Sequence, residues 1–183
     1  MSNYIFGKYI PRNNNCVAVI AVMASKKISH RKAEEPMARF TDMFTELVRA
    51  EIQLWNGLDA QLRAAAGLTL PQFQALEAIR ENDRAARVQD ISQRMVITVG
   101  ATSKIVDRLE RDGFALRTAH PTDRRSSIVS LTEAGAVALE AADVEAESHL
   151  REQLGGVFSE DDVTRLLNDL VSLRSGSRVE VAQ

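Results

Sequence analysis

A mainly helical α+β fold is predicted by three observations. The apolar residues are dominated by alanine, leucine and valine, and aromatics make up only 5% of the 183 residues. Long stretches on both sides of the chain's centre repeat apolar residues at helical spacing. Between them, Phe114 to Ala119 and Ser126 to Leu131 alternate in the manner of strands, joined by the polar, turn-rich tip His120-Pro121-Thr122-Asp123-Arg124-Arg125. Val88 to Gly135 therefore reads as helix, turn, helix and two-stranded hairpin. That is the order of a winged helix-turn-helix, flanked here by N- and C-terminal helices.

Each element has a local reason. Arg39 to Ala66 places Phe40, Met43, Phe44, Leu47, Val48, Ile52, Trp55, Leu58 and Leu62 along one wide stripe, and Gly67 ends the helix. Thr69-Leu70-Pro71-Gln72 is a helix start. Thr69 can cap, Gln72 can reach back, and Pro71 lies in the first turn, where a missing N–H costs nothing. This helix is expected to bury Phe73, Leu76 and Ile79, and residues 81–87 read as a polar loop. Val88 to Met95 is a short helix with Ile91 and Met95 inward; Val96 to Val99 is the turn, with Thr98 as cap of the next helix. That next helix runs to about Asp112 and stops at Gly113. Thr102, Ile105, Val106 and Leu109 share its core face, while Gly100, Ala101, Ser103, Lys104, Asp107, Arg108 and Arg111 lie opposite. Thr132 caps a long helix from Glu133 to Leu154, broken by Gly155-Gly156. Ser159-Glu160-Asp161-Asp162 starts a last helix expected to bury Val163, Leu166, Leu167, Leu170 and Leu173.

The composition, 45% apolar and 26% charged with a formal net charge of −2, is that of an ordinary soluble chain. The charge is unevenly placed. From Arg87 to Arg125 there are eight basic residues against five acidic ones, so a locally basic module sits in an acidic chain. That pattern fits phosphate contact on one face. The single cysteine, Cys16, excludes an intramolecular disulfide. No apolar run approaches the roughly 20 residues that span a bilayer. Residues 1–35 differ from the rest: Cys16 to Ala24 is a short apolar run, and Ser25 to Glu35 is a charged linker. The run is short for a signal peptide. An arm, a linker or translation that begins at Met37 are the readings kept for this extension.

Enzyme chemistry finds no support in the sequence. There is no Gly-x-Ser-x-Gly elbow, no phosphate-binding glycine loop, no metal cage and no plausible catalytic triad. Gly100-Ala101-Thr102-Ser103-Lys104 lacks the length and order of a phosphate loop. Glu145 and His149 stand one helical turn apart, which reads as a solvated face rather than a metal site. No catalytic residue, metal or cofactor is expected.

Three segments together resemble the MarR family of bacterial transcriptional regulators. They are Leu68 to Phe73 (LTLPQF), Ile105 to Gly113 (IVDRLERDG), and Asp123-Arg124-Arg125 followed by Val129 to Gly135 (VSLTEAG). The resemblance covers Phe40 to about Arg174. It implies a homodimer in which 36–66 and 136–175 form a helical dimerisation region and 67–135 a winged helix-turn-helix DNA-binding domain, with 176–183 a flexible tail.

The same resemblance implies how the parts are used. The partner is double-stranded DNA, a pseudo-palindromic operator matched by the two-fold dimer. The recognition helix lies in the major groove. Gly100 and Ala101 keep its leading edge small, Ser103 and Lys104 point outward at contact positions, and Arg108 clamps a phosphate. On the wing, Arg125 enters the minor groove, Asp123 orients it, and Arg124 touches the backbone. Many relatives release DNA when a small phenolic or otherwise lipophilic ligand enters a cleft beside the dimer helices. Met43, Phe44, Trp55 and Phe73 are the candidate lining here. Gln74 stands where the urate-responsive branch carries an acid, which argues against that ligand. Cys16 precedes the first helix, so redox sensing through it is not carried over. The expected protein is a cytoplasmic dimeric DNA-binding regulator, a repressor released by a small molecule. The alternative is a winged-helix architectural or protein-interaction module without a ligand signal.

Overall fold

The computed structural model describes residues 39–120, 122 and 127–176. The expectations placed on residues 1–35, Cys16, Asp123, Arg124, Arg125 and residues 177–183 lie outside them. The chain forms two units, residues 38–153 and a second that includes residues 154–176.

The larger unit contains α1 (Phe40–Ala66), α2 (Leu70–Glu81), β1 (Ala85–Arg87), α3 (Val88–Met95), α4 (Val99–Arg111), β2 (Ala115–Ala119), β3 (Ser127–Leu131) and α5 (Glu133–Leu154). Gly67 ends α1 at φ 68°, in the left-handed region where glycine alone is at ease, and its N–H bonds back to Leu62 O. The predicted capping box opens α2. The Gln72 N–H donates to Thr69 Oγ1 at 3.2 Å, and the Thr69 N–H donates to Gln72 Oε1 at 3.0 Å. The Leu70 N–H donates to Asp59 Oδ1 of α1 at 2.7 Å, which ties the two helices at their junction.

Phe73, Leu76 and Ile79 are buried as the periodicity requires. With Leu62 of α1, Ile91 of α3, Val106 and Leu109 of α4, Val129 of β3 and Leu139 of α5 they form one continuous core. Each such side chain removed from water stabilises the fold by roughly 1.5–3 kcal/mol. Helix α5 meets α1 through a small gap: a Cβ at Gly57 would lie 3.0 Å from the His149 imidazole, so glycine lets that ring rest on α1.

One strand escaped the sequence pattern. Residues 81–87, read as a polar loop, end in β1, and the sheet has three antiparallel strands in the order β1–β3–β2. Ala86 and Arg117 face Val129 from opposite sides. A tight turn delivers the strand. Asp83 and Arg84 hold φ of 54° and 66°, and the Ala85 N–H donates to Asn82 O at 3.0 Å, the pattern of a type I′ turn built without glycine. Nothing local announces a three-residue strand whose partner lies about forty positions onward.

The second unit contains α6 (Glu160–Gly176). Ser159 and Asp162 cap it reciprocally: the Asp162 N–H donates to Ser159 Oγ, and the Ser159 N–H donates to Asp162 Oδ2. The expectation that this helix buries Val163, Leu166, Leu167, Leu170 and Leu173 is corrected, because all five are exposed. The N-terminal half of α1 behaves likewise, with Phe40, Met43 and Phe44 exposed and burial beginning only at Leu58. Helical spacing marks an apolar face, but burial needs a surface to cover it.

Candidate nucleic-acid interface

Helices α3 and α4 and the turn between them make the helix-turn-helix. Asp90 accepts from the Arg87 N–H at 2.9 Å and so caps the start of α3. Val96 ends α3 in the left-handed region, φ 56° and ψ 40°. Ser92 then braces the turn from both ends. Its hydroxyl donates to Ile97 O at 2.8 Å, and its carbonyl accepts the Ile97 N–H at 3.2 Å. Thr98 caps α4 by accepting from the Ala101 N–H at 3.3 Å, while buried Thr102 donates to Thr98 O at 3.1 Å.

Helix α4 is two-faced, as its sequence spacing predicts. Thr102, Val106 and Leu109 are fully buried. Gly100, Ala101, Lys104, Asp107, Arg108 and Arg111 are exposed, and Ser103 and Ile105 are half-buried. The far end of the helix is anchored where the Gln72 amide donates to Asp112 Oδ2 at 3.0 Å. Gln72 is itself buried, so this one side chain both caps α2 and positions α4.

The two acids on α4 are neutralised within the module. The Arg117 guanidinium of β2 donates to Asp107 Oδ1 at 2.9 Å, and its Nε lies 3.4 Å from Glu110 Oε2 without hydrogen-bond alignment. Glu110 also accepts from the Arg117 backbone N–H at 3.0 Å. By contrast, Lys104 and Arg108 pair with no carboxylate among the described residues. The helix therefore presents uncompensated positive charge outward, the arrangement that attracts a polyanion. Arg111 is drawn to Asp112 at 3.1 Å.

At the base of the wing, Arg87 of β1 donates to His120 Nε2 at 2.9 Å. His120 Nδ1 lies 3.3 Å from the Thr122 hydroxyl. The Thr122 backbone N–H donates to the same Nδ1 at 3.3 Å. Sequence reasoning counted Arg87 only as local charge; its link to the wing depends on β1, which the pattern did not reveal. Asp123, Arg124 and Arg125 at the tip lie outside the described residues.

The candidate ligand-lining residues fall in different surroundings. Phe73 is buried in the core, whereas Met43, Phe44 and Trp55 are exposed along α1. A cavity of about 130 Å³ lies elsewhere, lined by Gln74, Glu77, Arg94 and Met95. Burial and the neighbouring Asp143 carboxylate raise the Glu77 carboxyl above its ordinary value, against the opposing pull of Arg80. Arg80 clasps Asp143 of α5 and approaches Glu77 at 3.7 Å. Arg94 of α3 donates twice to Glu81, at 2.6 and 2.9 Å, and holds that carboxyl below its ordinary value. Charged contacts thus tie α2 to both α3 and α5.

Known proteins share this arrangement. The MarR family model matches residues 66–126, the segment from the start of α2 into the wing. The HTH-type transcriptional regulator YfiV of Bacillus subtilis is 28% identical over 109 residues, 60% of this chain and 62% of that protein. The B. subtilis regulator YdgJ is 25% identical over 115 residues, 63% of this chain and 68% of that one. The match to YfiV thus spans less than two thirds of that protein's length. Among solved structures, Sco3205, a MarR family regulator from Streptomyces coelicolor in complex with DNA, superposes with a TM-score of 0.71 at 22% identity, over 82% of this chain and 97% of that one. The organohalide-sensing regulator RdhR-CbdbA1625 in its 2,4-dichlorophenol-bound form gives 0.68 at 14% identity, over 81% and 90%. A mutant MarR from E. coli complexed with operator DNA gives 0.60 at 22% identity, over 74% and 99%. With this fold, this motif order and this match, residues 66–126 are similar to the MarR family and the chain has the winged helix-turn-helix fold of its solved members.

Proposed function

We propose that the protein is a dimeric, sequence-specific DNA-binding transcriptional regulator, a repressor released from its operator by a small phenolic or lipophilic ligand. The observation that carries the reading is the unpaired cationic face of α4. Among the described residues Lys104 and Arg108 pair with no carboxylate, while Arg117 neutralises Asp107 and Glu110 beside them. Two of the superposed regulators are bound to DNA, which supports the same use of this helix. Ser103, Lys104 and Arg108 make the major-groove and phosphate contacts, with Gly100 and Ala101 at the close approach. Asp123, Arg124 and Arg125 supply the minor-groove contact from the wing.

The dimer reading is supported by uncovered apolar side chains on α1 and α6. Phe40, Met43, Phe44, Leu166 and Leu170 are exposed in the single chain, and such surface associates in water. The effector reading is supported by the dichlorophenol-bound relative. Met43, Phe44, Trp55 and Phe73 remain the proposed lining. The proposed place of work is the cytoplasm, where a DNA target is found; no helix among the described residues is long and apolar enough to cross a membrane.

Fluorescence anisotropy on DNA from the protein's own upstream region, against scrambled duplex across a salt series, tests the reading. Sequence-selective binding with a steep salt slope is expected, followed by release on addition of substituted phenols. Equal, weak binding to both duplexes, repeated with duplexes drawn from a random pool, would favour an architectural or protein-interaction module instead.

A further inference from the structure

Three aliphatic side chains are exposed where α3 turns into α4. Val96, Ile97 and Val99 have 78%, 37% and 50% of their surface open. A scattered exposed valine needs no explanation, but three within four positions form a patch. The patch runs straight into Gly100 and Ala101, which are also exposed.

Gly100 adds a separate observation. A Cβ built there meets nothing within 4 Å, and its φ is not in the left-handed region. Among the described residues neither packing nor backbone requires glycine at that place, although glycine is less favourable than alanine in a helix. The low relief is therefore shaped for a surface outside the chain that approaches the first turn of α4. Lys104 and Arg108 follow on the same helix and pair with no carboxylate among the described residues, which a polyanionic surface complements. Val99, half exposed at the same helix end, offers such a surface an apolar contact.

Duplex DNA satisfies all three demands. Phosphates complement Lys104 and Arg108, the groove admits a helix end, and the C5-methyl group of thymine is the apolar feature on the major-groove floor. We infer that Val99, flanked by Val96 and Ala101, reads thymine methyl groups, so that apolar contact contributes to sequence choice alongside the polar contacts of Ser103 and Lys104. This rests on the DNA-binding reading above and adds a chemical class of target: half-sites with thymine opposite the leading edge of α4.

The test uses duplexes recovered from a random pool by the full-length protein. Each thymine in the recovered site is replaced by deoxyuridine, which removes the methyl and leaves the pairing edge and O4 intact. Wild-type affinity is expected to fall about fourfold for each methyl group contacted. Val99→Ala is expected to bind the thymine duplex several-fold more weakly and to lose the distinction between thymine and uracil, with an unchanged salt slope. Thermal melting checks that this exposed substitution leaves the fold intact. If wild type prefers the recovered site to scrambled DNA yet binds its thymine and uracil forms equally, the methyl reading is overturned and DNA recognition stands. The methyl reading is likewise overturned if Val99→Ala keeps the distinction. If wild type shows no preference for any duplex, both readings fall together.

Discussion

The carbonyl oxygen of Phe114 lies 1.9 Å from the place that a Cβ on Gly135 would occupy. The start of α5 is pressed onto the backbone that leads into the wing. Two hydrogen bonds hold it there: Thr132 Oγ1 donates to Gly113 O at 2.7 Å, and the Thr132 N–H donates to Phe114 O at 3.2 Å. The same Thr132 hydroxyl accepts from the Gly135 N–H at 2.9 Å, so cap and docking site are one group. The sheet carrying the wing is thereby fixed to α5.

Gly135→Ala forces either the helix or the β2 entry to move, because the obstructing atom is backbone and not a flexible side chain. A loss of about 2–4 kcal/mol is expected in urea unfolding, with the midpoint lowered and the m-value retained. An unchanged midpoint would mean that α5 does not dock as closely as this contact requires.

Gly100→Ala separates stability from recognition. A methyl at this exposed position meets nothing within 4 Å among the described residues, and alanine favours the helix over glycine, by less in this first turn than the roughly 0.5–1 kcal/mol of a helix interior. Melting should therefore shift upward while affinity for operator duplex falls severalfold. A variant that melts higher and binds equally well would show that DNA does not approach this residue.

Val96 holds φ 56° with 78% of its surface exposed, so a β-branched side chain stands in the left-handed region without burial in return. Such a conformation costs roughly 1–2 kcal/mol for a residue with a Cβ. Val96→Gly should stabilise the folded protein by about 0.5–1 kcal/mol once the extra chain entropy of glycine is offset. Chemical denaturation of the purified variant gives the answer, and a lower midpoint would assign the valine a packing role.

Glu77 supplies a pH dependence whose sign follows from its surroundings. Burial and the nearby Asp143 raise its carboxyl above the ordinary 4.5, with Arg80 opposing. The folded state therefore holds this proton more tightly than the unfolded chain does. Its contribution is most favourable below 4.5 and is lost as pH rises through the raised folded value. Glu77→Gln should raise the melting temperature at neutral pH and flatten the decline above pH 4.5. Parallel melting curves for the two proteins across that range would remove Glu77 as the cause.

Much of this molecule is legible without coordinates because its signals are local. The Thr69–Gln72 capping box, the Gly67 stop, the Thr98 cap and the two-faced spacing of α4 each depend on residues within one or two helical turns, and each stands where the spacing places it. Those signals also locate Lys104 and Arg108 on an outward face. What escaped is non-local. Strand β1 is three residues long and exists through pairing with β3. The neutralising of Asp107 and Glu110 by Arg117 needs β2 folded back beside α4.

The sequence by itself determined the order of the helices and of the hairpin, their caps and which charges lie on the outward face of α4, because these are set by backbone geometry and side-chain periodicity over a few residues. Tertiary structure decided which of the apolar faces marked by that spacing are covered and which charges are spent. Leu62 and Leu166 are both leucines at helical spacing, yet one is buried in the core and the other is exposed. Removal from water is a property of what lies opposite a side chain, and no local pattern encodes that.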